Sequence, residues 1–267
     1  MLAKLIKHEF KATSRIFLPA YLAVFLMGLV GYASGRINIT TGVTIPEWIL
    51  VVGLLLFFGL ITTTFILTFV INIQRFYKNL LGDEGYLMFT LPVHQRDLIA
   101  AKLIPATCWD IASTLVIILS SALIGLGILP SGYWQSPGWF ALAQQLRSGL
   151  DFVFANYSLV VIEVIVLFII ATVTSILMMY VAMAIGQLAS KNRALASVGA
   201  YFGIYTALQV IGSFLIAIFV PVLSNLEIVW TENLGLLLGG ALSVYLAQAV
   251  LYFVVTNIIL SKRLNLA

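Results

Sequence analysis

Two carboxylates are the side chains best placed to do chemistry in this sequence, because both fall inside long apolar runs. Asp110 lies within a run that begins near residue 103, and Glu163 lies a few residues into a run that begins near residue 159. An ionisable side chain at membrane depth costs at least about 2.5 kcal/mol to insert, so it marks a functional site by default. Such carboxylates could carry protons, line a polar path or bond to neighbouring helices, and the sequence leaves these three roles open.

Gln209 and Gln248 also lie in apolar runs, where an amide indicates an interhelical bond or a polar path. Other reactive arrangements are missing from the sequence. The single cysteine, Cys108, leaves no internal disulfide, and His8 and His94 are too far apart in the chain to begin a metal site. Neither a nucleophile–base pair nor a phosphate loop of the Gly-x-x-x-x-Gly-Lys-Ser/Thr type is present. We predict that the chain is not an enzyme and binds no metal and no cofactor of its own.

The composition places these polar side chains in a membrane. Of 267 residues, 62% are hydrophobic and only 9% are charged, whereas soluble proteins carry about 25% charged residues. A chain this poor in charge cannot cover itself for water, so we predict an integral membrane protein surrounded by lipid. The net charge of +4 is informative through the positions of the basic residues along the chain. No nucleic-acid partner is expected.

Six apolar segments are long enough to cross the bilayer as helices, which takes roughly 20 residues each. They cover about residues 16–34, 49–73, 103–129, 159–188, 197–220 and 236–260. The alternating segments of about ten residues that mark transmembrane strands are missing. The predicted fold is therefore all-α, with residues 16–267 forming a single six-helix transmembrane domain. Small residues at 235–243 would allow a close helix approach there.

The Lys and Arg residues set the orientation, because cytoplasmic flanks collect them. With the amino terminus inside, all 14 basic residues except Arg36 and Arg147 fall on the cytoplasmic side. The reverse orientation would break this rule, so both termini are predicted to be cytoplasmic.

Residues 1–15 predict an amphipathic helix ahead of the first span. Apolar residues recur there at three- and four-residue steps, and four basic residues form a separate stripe. The apolar positions are Leu2, Leu5, Ile6 and Phe10, and the basic ones are Lys4, Lys7, Lys11 and Arg15. This pattern is typical of a helix that lies in the membrane interface with its cations toward anionic headgroups.

The longest cytoplasmic segment, at about residues 74–102, contains "LLGDEGYLMFTLP", which is too apolar for a freely solvated loop. Gly82 can end the preceding helix in a left-handed conformation. Asp83 can cap the start of a short helix, and the negative charge of Glu84 suits the dipole of that helix. Pro92 then ends the short helix. An apolar face of this kind needs to be buried, either against the protein's own helices and the interface or against a cytoplasmic partner.

The segment "LLGDEGYLMFTLPVHQRDLIAAKL" resembles the cytoplasmic loop of permease subunits in the type-2 exporter class of ATP-binding-cassette (ABC) transporters. In one bacterial branch this loop reads Gly, two residues, Gly-Tyr-Leu, two residues, Leu-Pro-Val and then a helix that bears a Lys. The matching residues are Gly82, Gly85, Tyr86, Leu87, Thr90, Leu91, Pro92, Val93 and Lys102. His94 departs from the pattern, which has a Ser or Thr there to cap the helix. Residues 185–203 resemble the turn between the fourth and fifth spans of that branch, and residues 261–266 resemble its basic carboxyl terminus.

The resemblance implies a partner for each of these regions. The loop would hold a coupling helix in a groove of a separate ATPase, with Gly82, Asp83, Glu84, Gly85, Tyr86, Leu87, Phe89 and Pro92 in the contact. The turn would make a second, smaller contact through Gln187, Lys191, Asn192 and Arg193. Two copies of the ATPase would bind ATP and Mg²⁺, and a second permease subunit, identical or related, would complete the pathway. The setting would be the cytoplasmic membrane of a bacterium.

Three functions stay open. The resemblance favours a permease subunit of an ABC exporter that moves an amphipathic substrate outward, such as an antimicrobial or other peptide, a drug or a lipid-like molecule. A stand-alone secondary transporter would use Asp110 or Glu163 to carry protons, but the inverted repeat and paired broken helices typical of that class are missing. The third function is a membrane anchor or sensor that transports nothing.

Overall fold

The computed structural model of the protein describes residues 2–41, 46–81, 94–128, 137–189, 191–225 and 234–262, and every regular element in these ranges is helical. The long helices are α1 (Leu2–Thr41), α2 (Glu47–Phe76), α3 (Gln95–Ile128), α4 (Pro137–Gly186), α5 (Arg193–Asn225) and α6 (Leu234–Lys262). Each of the six contains a stretch that is long and apolar enough to cross a membrane. The prediction of an α-helical membrane protein with six candidate spans is confirmed.

Helix α1 is longer than the predicted first span. It is one helix of 40 residues, so the residues predicted to lie in the interface (1–15) are continuous with those of the span at 16–34. At 1.5 Å per residue this helix extends about 60 Å, twice the hydrocarbon thickness of about 30 Å. The hydrocarbon therefore cannot enclose all of α1 if the helix runs across it, and the interfacial position of residues 1–15 stays a prediction.

Helix α4 is interrupted at Tyr157, whose φ of −129° and ψ of 26° are not helical. The break separates residues 137–156 from residues 158–186. The predicted fourth span at 159–188 coincides with the second of these parts. The first part has many exposed apolar side chains, including Phe140, Leu146 and Phe152.

The chain divides into two compact units. Unit 1 comprises Met1–Ile6, Asn72–Thr107 and Ser158–Ala267, and unit 2 comprises Lys7–Ile71 and Cys108–Tyr157. Helices α1 to α4 each contribute to both units, and the boundary within α4 falls at the Tyr157 break. The prediction that residues 16–267 form a single transmembrane domain depends on how the two units are arranged, and it stays a prediction.

Unit 1 is built on a buried cluster to which α2, α3, α4 and α6 all contribute. The rings of Phe76 and Tyr180 stack with their centroids 3.9 Å apart, and both side chains are almost fully buried. The hydroxyl of Thr174 also lies 3.2 Å from the carbonyl oxygen of Tyr245, which links α4 to α6. We call the cluster the unit 1 core; it comprises Phe76, Leu80, Leu81, Leu98, Ile99, Ala106, residues 176–181, Met183, Ala249, Tyr252 and Leu260.

Unit 2 is built on a close approach of α1 to α3. A Cβ atom added to Gly31 would lie 2.7 Å from Cγ1 of Ile124, and one added to Gly127 would lie 2.6 Å from Cα of Tyr32. These separations are well inside van der Waals contact, so the packing as it stands fits only glycine at either position. Small residues permit such approaches in membranes, where packing rather than the hydrophobic effect holds helices together.

Gly127→Ala is expected to lower the free energy of unfolding by about 1–3 kcal/mol, because the added methyl group would force the α1 and α3 backbones apart. Gly125→Ala is the matched control on the same helix, since nothing lies within 4 Å of a Cβ atom there. Alanine favours a helix over glycine by up to about 1 kcal/mol, so the control should unfold at the wild-type temperature or above it. Thermal unfolding in detergent measures both variants. A Gly127→Ala midpoint as high as that of Gly125→Ala would contradict the close approach.

Candidate functional site

The loop residues predicted to contact an ATPase lie outside the described residues. They are Gly82, Asp83, Glu84, Gly85, Tyr86, Leu87, Phe89 and Pro92. The structure describes the two flanks of this coupling segment (residues 82–93), namely the end of α2 with the turn that follows it and the start of α3. These flanks determine what the segment is attached to.

The flank before the coupling segment changes its helical hydrogen bonding. After Phe76 the chain continues as a π-helical turn, Tyr77–Leu81, in which Leu80 and Leu81 are buried. Single π-helical turns are rare and occur frequently at functional sites. Both leucines belong to the unit 1 core, so the residue immediately before Gly82 is anchored in that core.

The flank after the segment enters α3 at Gln95 and is anchored in the same way. Leu98 and Ile99 are 2% and 0% exposed and belong to the unit 1 core. At the start of the helix, the carbonyl oxygen of His94 accepts the backbone N–H of Asp97 at 2.9 Å. The carboxylate of Asp97 lies in the first turn, where a negative charge suits the helix dipole, and 4.0 Å from Nδ1 of His94. The pair of His94 and Asp97 stands at the helix start where the ABC permease branch that the sequence resembles has a Ser or Thr as the cap.

The second predicted contact is the turn between α4 and α5. Helix α4 ends at Gly186, where an added Cβ atom would overlap the side chain of Ser197, so the two helix ends are pressed together. Asn192 has a φ of 53°, a left-handed conformation in which asparagine is several-fold enriched over most residues. The side chains of Lys191, Asn192 and Arg193 are exposed, so this part of the turn presents two cations to its surroundings.

Gln187 is the half-buried member of the turn. Its Nε2 atom is enclosed and makes no hydrogen bond to the described part of the chain, while its backbone N–H donates to the carbonyl oxygen of Met183 at 3.2 Å. Met183 belongs to the unit 1 core. One buried cluster therefore supports the turn and both flanks of the coupling segment.

Glu163 lies on α4 in unit 1 and is half-buried. Its Oε2 atom is enclosed and has no hydrogen-bond partner among the described residues. A Cβ atom added to Gly235 would lie 3.5 Å from that oxygen, so the carboxylate faces the first turn of α6. The free N–H groups of a helix start carry a partial positive charge, which suits a carboxylate without fully satisfying it.

Asp110 lies on α3 in unit 2, beside a tryptophan that organises a polar network. The indole N–H of Trp109 donates to Oγ1 of Thr13 at 2.8 Å, and its ring stacks on Phe17 with the centroids 4.9 Å apart. A buried indole N–H usually finds such a partner. Asp110 itself is half-buried, and its carbonyl oxygen accepts the hydroxyl of Thr114 at 3.0 Å.

The same network continues through three hydroxyls that the sequence analysis did not single out. The hydroxyl of Tyr21 lies 2.8 Å from the carbonyl oxygen of Trp109 and 2.8 Å from Oγ of Ser113. Oγ1 of Thr68 lies 3.3 Å from the same Ser113 oxygen. The network therefore joins α1, α2 and α3. The one sequence signal for it was the tryptophan inside an apolar run, whose N–H requires an acceptor.

The two glutamines do not complete a shared polar site. Gln209 is exposed on α5, and its Nε2 donates to the hydroxyl of Tyr205 at 3.0 Å. Gln248 is half-buried on α6. Within the part of the chain that the structure describes, Glu163, Gln209 and Gln248 make no hydrogen bonds to one another. Their predicted role in a pathway stays a prediction.

No protein-family model matches the chain, and neither a curated protein nor a solved structure matches it. The class of protein is defined by the fold itself. Six helices long and apolar enough to cross a bilayer make the chain a multi-pass membrane protein. Among the described residues, no group of three or more His, Cys, Asp or Glu side chains could hold a metal ion.

Glu163→Gln is expected to leave the unfolding temperature unchanged or to raise it, because the substitution removes a charge whose enclosed oxygen has no partner. Asp151→Asn is the matched control on the same helix, since the Asp151 side chain is 75% exposed and removing its charge should change the temperature little. Thermal unfolding in detergent compares the two. A clear fall for Glu163→Gln alone would contradict an unsatisfied carboxylate.

Proposed function

We propose that the chain is the membrane-spanning permease subunit of an ABC exporter, driven by ATP hydrolysis in a separate subunit. The observation that carries the proposal is that both flanks of the coupling segment are anchored in the unit 1 core. Leu80 and Leu81 precede the segment, Leu98 and Ile99 follow it, and all four side chains are at most 5% exposed. A segment held in this way transmits a push from a partner into the membrane-spanning helices.

Packing supports this mechanical role. Closely packed interiors have low compressibility and transmit displacement rather than absorbing it. Helices α2, α3, α4 and α6 all contribute side chains to the unit 1 core, so a shift of the coupling segment acts on four spans together. In the proposed cycle, ATP closes the dimer of ATPase subunits, the segment moves with it, and the permease alternates between inward and outward openings.

The turn between α4 and α5 fits the second contact of the proposal. Lys191 and Arg193 offer two exposed cations on a turn attached to the same core, whereas the coupling segment carries the acidic pair Asp83 and Glu84. The ATPase surface would complement both, with a basic or neutral groove for the segment and acidic groups for the turn. Charge complementarity of this kind fixes register and suppresses wrong partners.

The assembly in the proposal holds two permease subunits and two ATPase subunits in a bacterial cytoplasmic membrane, with the termini of this chain in the cytoplasm. ATP and Mg²⁺ are bound by the ATPase subunits. The second permease is a copy of this chain or a relative of it. The substrate in the proposal is amphipathic, such as a peptide, a drug or a lipid-like molecule, as the resemblance to the exporter class implies.

The enclosed oxygen of Glu163 favours proton-coupled transport as a second candidate function. A carboxylate without a partner at membrane depth is a natural proton carrier. In that case an ATPase partner is not needed, and transport would collapse with the proton gradient and in Glu163→Gln. In the ABC proposal, transport would instead follow ATP and survive the loss of the gradient.

The coupling segment is tested with the double variant Glu84→Arg, Tyr86→Ala. The tagged chain is expressed in its own host, and the protein that co-purifies with it is assayed for ATP-binding-cassette ATPase activity. The variant reverses a charge and removes a ring on the proposed docking face. Co-purified activity should fall about tenfold or more, as expected when an interface loses at least about 1.4 kcal/mol.

The matched control is Asp151→Arg with Tyr157→Ala, which makes the same two kinds of change on α4. Both side chains are exposed there, at 75% for Asp151 and 41% for Tyr157, and both lie on the predicted outer side. The control should co-purify the ATPase as wild type does. A wild-type chain that brings down no such ATPase, or a coupling variant that behaves like the control, would refute the proposal.

The second contact is tested separately with Lys191→Glu plus Arg193→Glu. Both side chains are exposed, so folding should be unaffected while the affinity for the ATPase falls, with a stronger effect at low salt than at high salt. Arg147→Glu is the control, because its side chain is 87% exposed on the predicted outer side. Equal ATPase binding by the turn variant and the control at low salt would exclude the turn from the interface.

A further inference from the structure

A crevice in unit 2 is a site that the proposed function does not use. It has a volume of about 380 Å³ and runs between α1, α2 and the end of α3. Its lining is Met27, Val30, Gly31, Ser34, Gly35, Ile49, Leu50, Gly53, Leu54, Phe57 and Ile124. Among these residues the only polar side chain is Ser34, whose hydroxyl already donates to the carbonyl oxygen of Gly31 at 3.0 Å. The crevice therefore offers a ligand mainly apolar surface.

The crevice leads from an exposed rim to a buried floor. Val30, Ile49 and Leu54 are 58%, 42% and 45% exposed, whereas Phe57 is 5% exposed. Gly53 leaves the space open from the side of α2, since a Cβ atom there would meet only the end of the Met27 side chain, at 3.9 Å. Next to the rim the exposed side chains of α1 and α2 are apolar, among them Leu26, Val51 and Leu55, so the rim is open to the hydrocarbon chains of a surrounding bilayer.

The size of the crevice matches one alkyl chain. An apolar protein cavity of about 150 Å³ takes up benzene, with its six carbon atoms, so 380 Å³ accommodates about 15 carbons at the same density. This is close to the chain length of ordinary membrane lipids. The one polar side chain of the lining, Ser34, already donates to its own helix, so the crevice holds water poorly, and empty space would forfeit the contacts of the lining atoms.

We propose that this crevice binds one acyl chain of a membrane phospholipid as a resident lipid site. The other chain and the headgroup stay in the bilayer. Phospholipid is the occupant because it surrounds the rim at a concentration that no other alkyl chain in a membrane reaches. The inference stands on the crevice alone and is independent of the proposed coupling to an ATPase.

The test is photolabelling in nanodiscs made with a phosphatidylcholine that carries a diazirine in its second acyl chain. After illumination, mass spectrometry maps the labelled residues. Phe57 is the diagnostic position, because its side chain is enclosed and a chain can reach it only through the crevice. Its neighbour Phe58 is 62% exposed and reports ordinary contact with the bilayer.

Gly53→Leu is expected to reduce labelling of Phe57 and Ile124 about fivefold or more, because the new side chain grows into the crevice and displaces the ligand. Labelling of Phe58 should not change. Gly59→Leu is the matched control on the same helix, since nothing lies within 4 Å of a Cβ atom there, and its labelling should match that of wild type at every position.

Val30→Trp is a second blocking variant that places its bulk on the exposed rim rather than near the packed floor. It should produce the same selective loss, and this keeps the test decisive if Gly53→Leu does not fold. Wild-type labelling confined to exposed residues such as Phe58 would overturn the proposal, and so would crevice labelling that both blocking variants leave intact. Labelling of the crevice by a diazirine fatty acid but not by the phospholipid would instead assign the crevice to a single-chain amphiphile and would also overturn the proposal.

Discussion

Helices in hydrocarbon cannot be held together by the hydrophobic effect, because lipid tails are as apolar as the side chains themselves. The two units answer this constraint differently. Unit 2 brings the α1 and α3 backbones together at Gly127, fits the Ile124 side chain against Gly31 and adds hydrogen bonds around Trp109. Unit 1 is built mainly on filled volume, in a core that includes the stacked rings of Phe76 and Tyr180, and adds the close contact of Gly186 with Ser197. Both flanks of the coupling segment are attached to that core.

The difference between the units bears on how the protein could work. A hydrogen-bonded network such as the one that joins Tyr21, Ser113 and Thr68 has specific partners and tolerates little displacement. The unit 1 core is mostly aliphatic, with three methionines and the rings of Phe76, Tyr180 and Tyr252, and its close packing passes a displacement on to the helices around it. Unit 1 is also the part that carries both segments proposed to meet a cytoplasmic partner.

The sequence predicts the six spans well and their contacts poorly, for a physical reason. Long apolar runs have few uses besides crossing a membrane, but their periodicity does not mark the packed face, since lipid accepts apolar side chains on every side. Small residues alone do not show where helices of this chain meet one another. Gly239 and Gly240, in the stretch expected to allow close approach, have nothing within 4 Å of an added Cβ atom, whereas Gly31 and Gly127 do. The carboxylates are visible in the sequence, but the network around Trp109 joins three helices and no single segment encodes it.

The π-helical turn at Tyr77–Leu81 has a consequence for how the length of this chain can vary. Such a turn bonds each residue to the fifth before it, where an α-helix uses the fourth, so it holds one residue more than an α-helix between the same two packed faces. Removing one residue between Phe76 and Leu80 would convert the turn to α-helix and keep the two buried leucines in phase with Phe76. A one-residue deletion within α2 would instead rotate the rest of that helix by about 100°. The turn is therefore the place where this chain can lose one residue at the least cost to the packing of the unit 1 core.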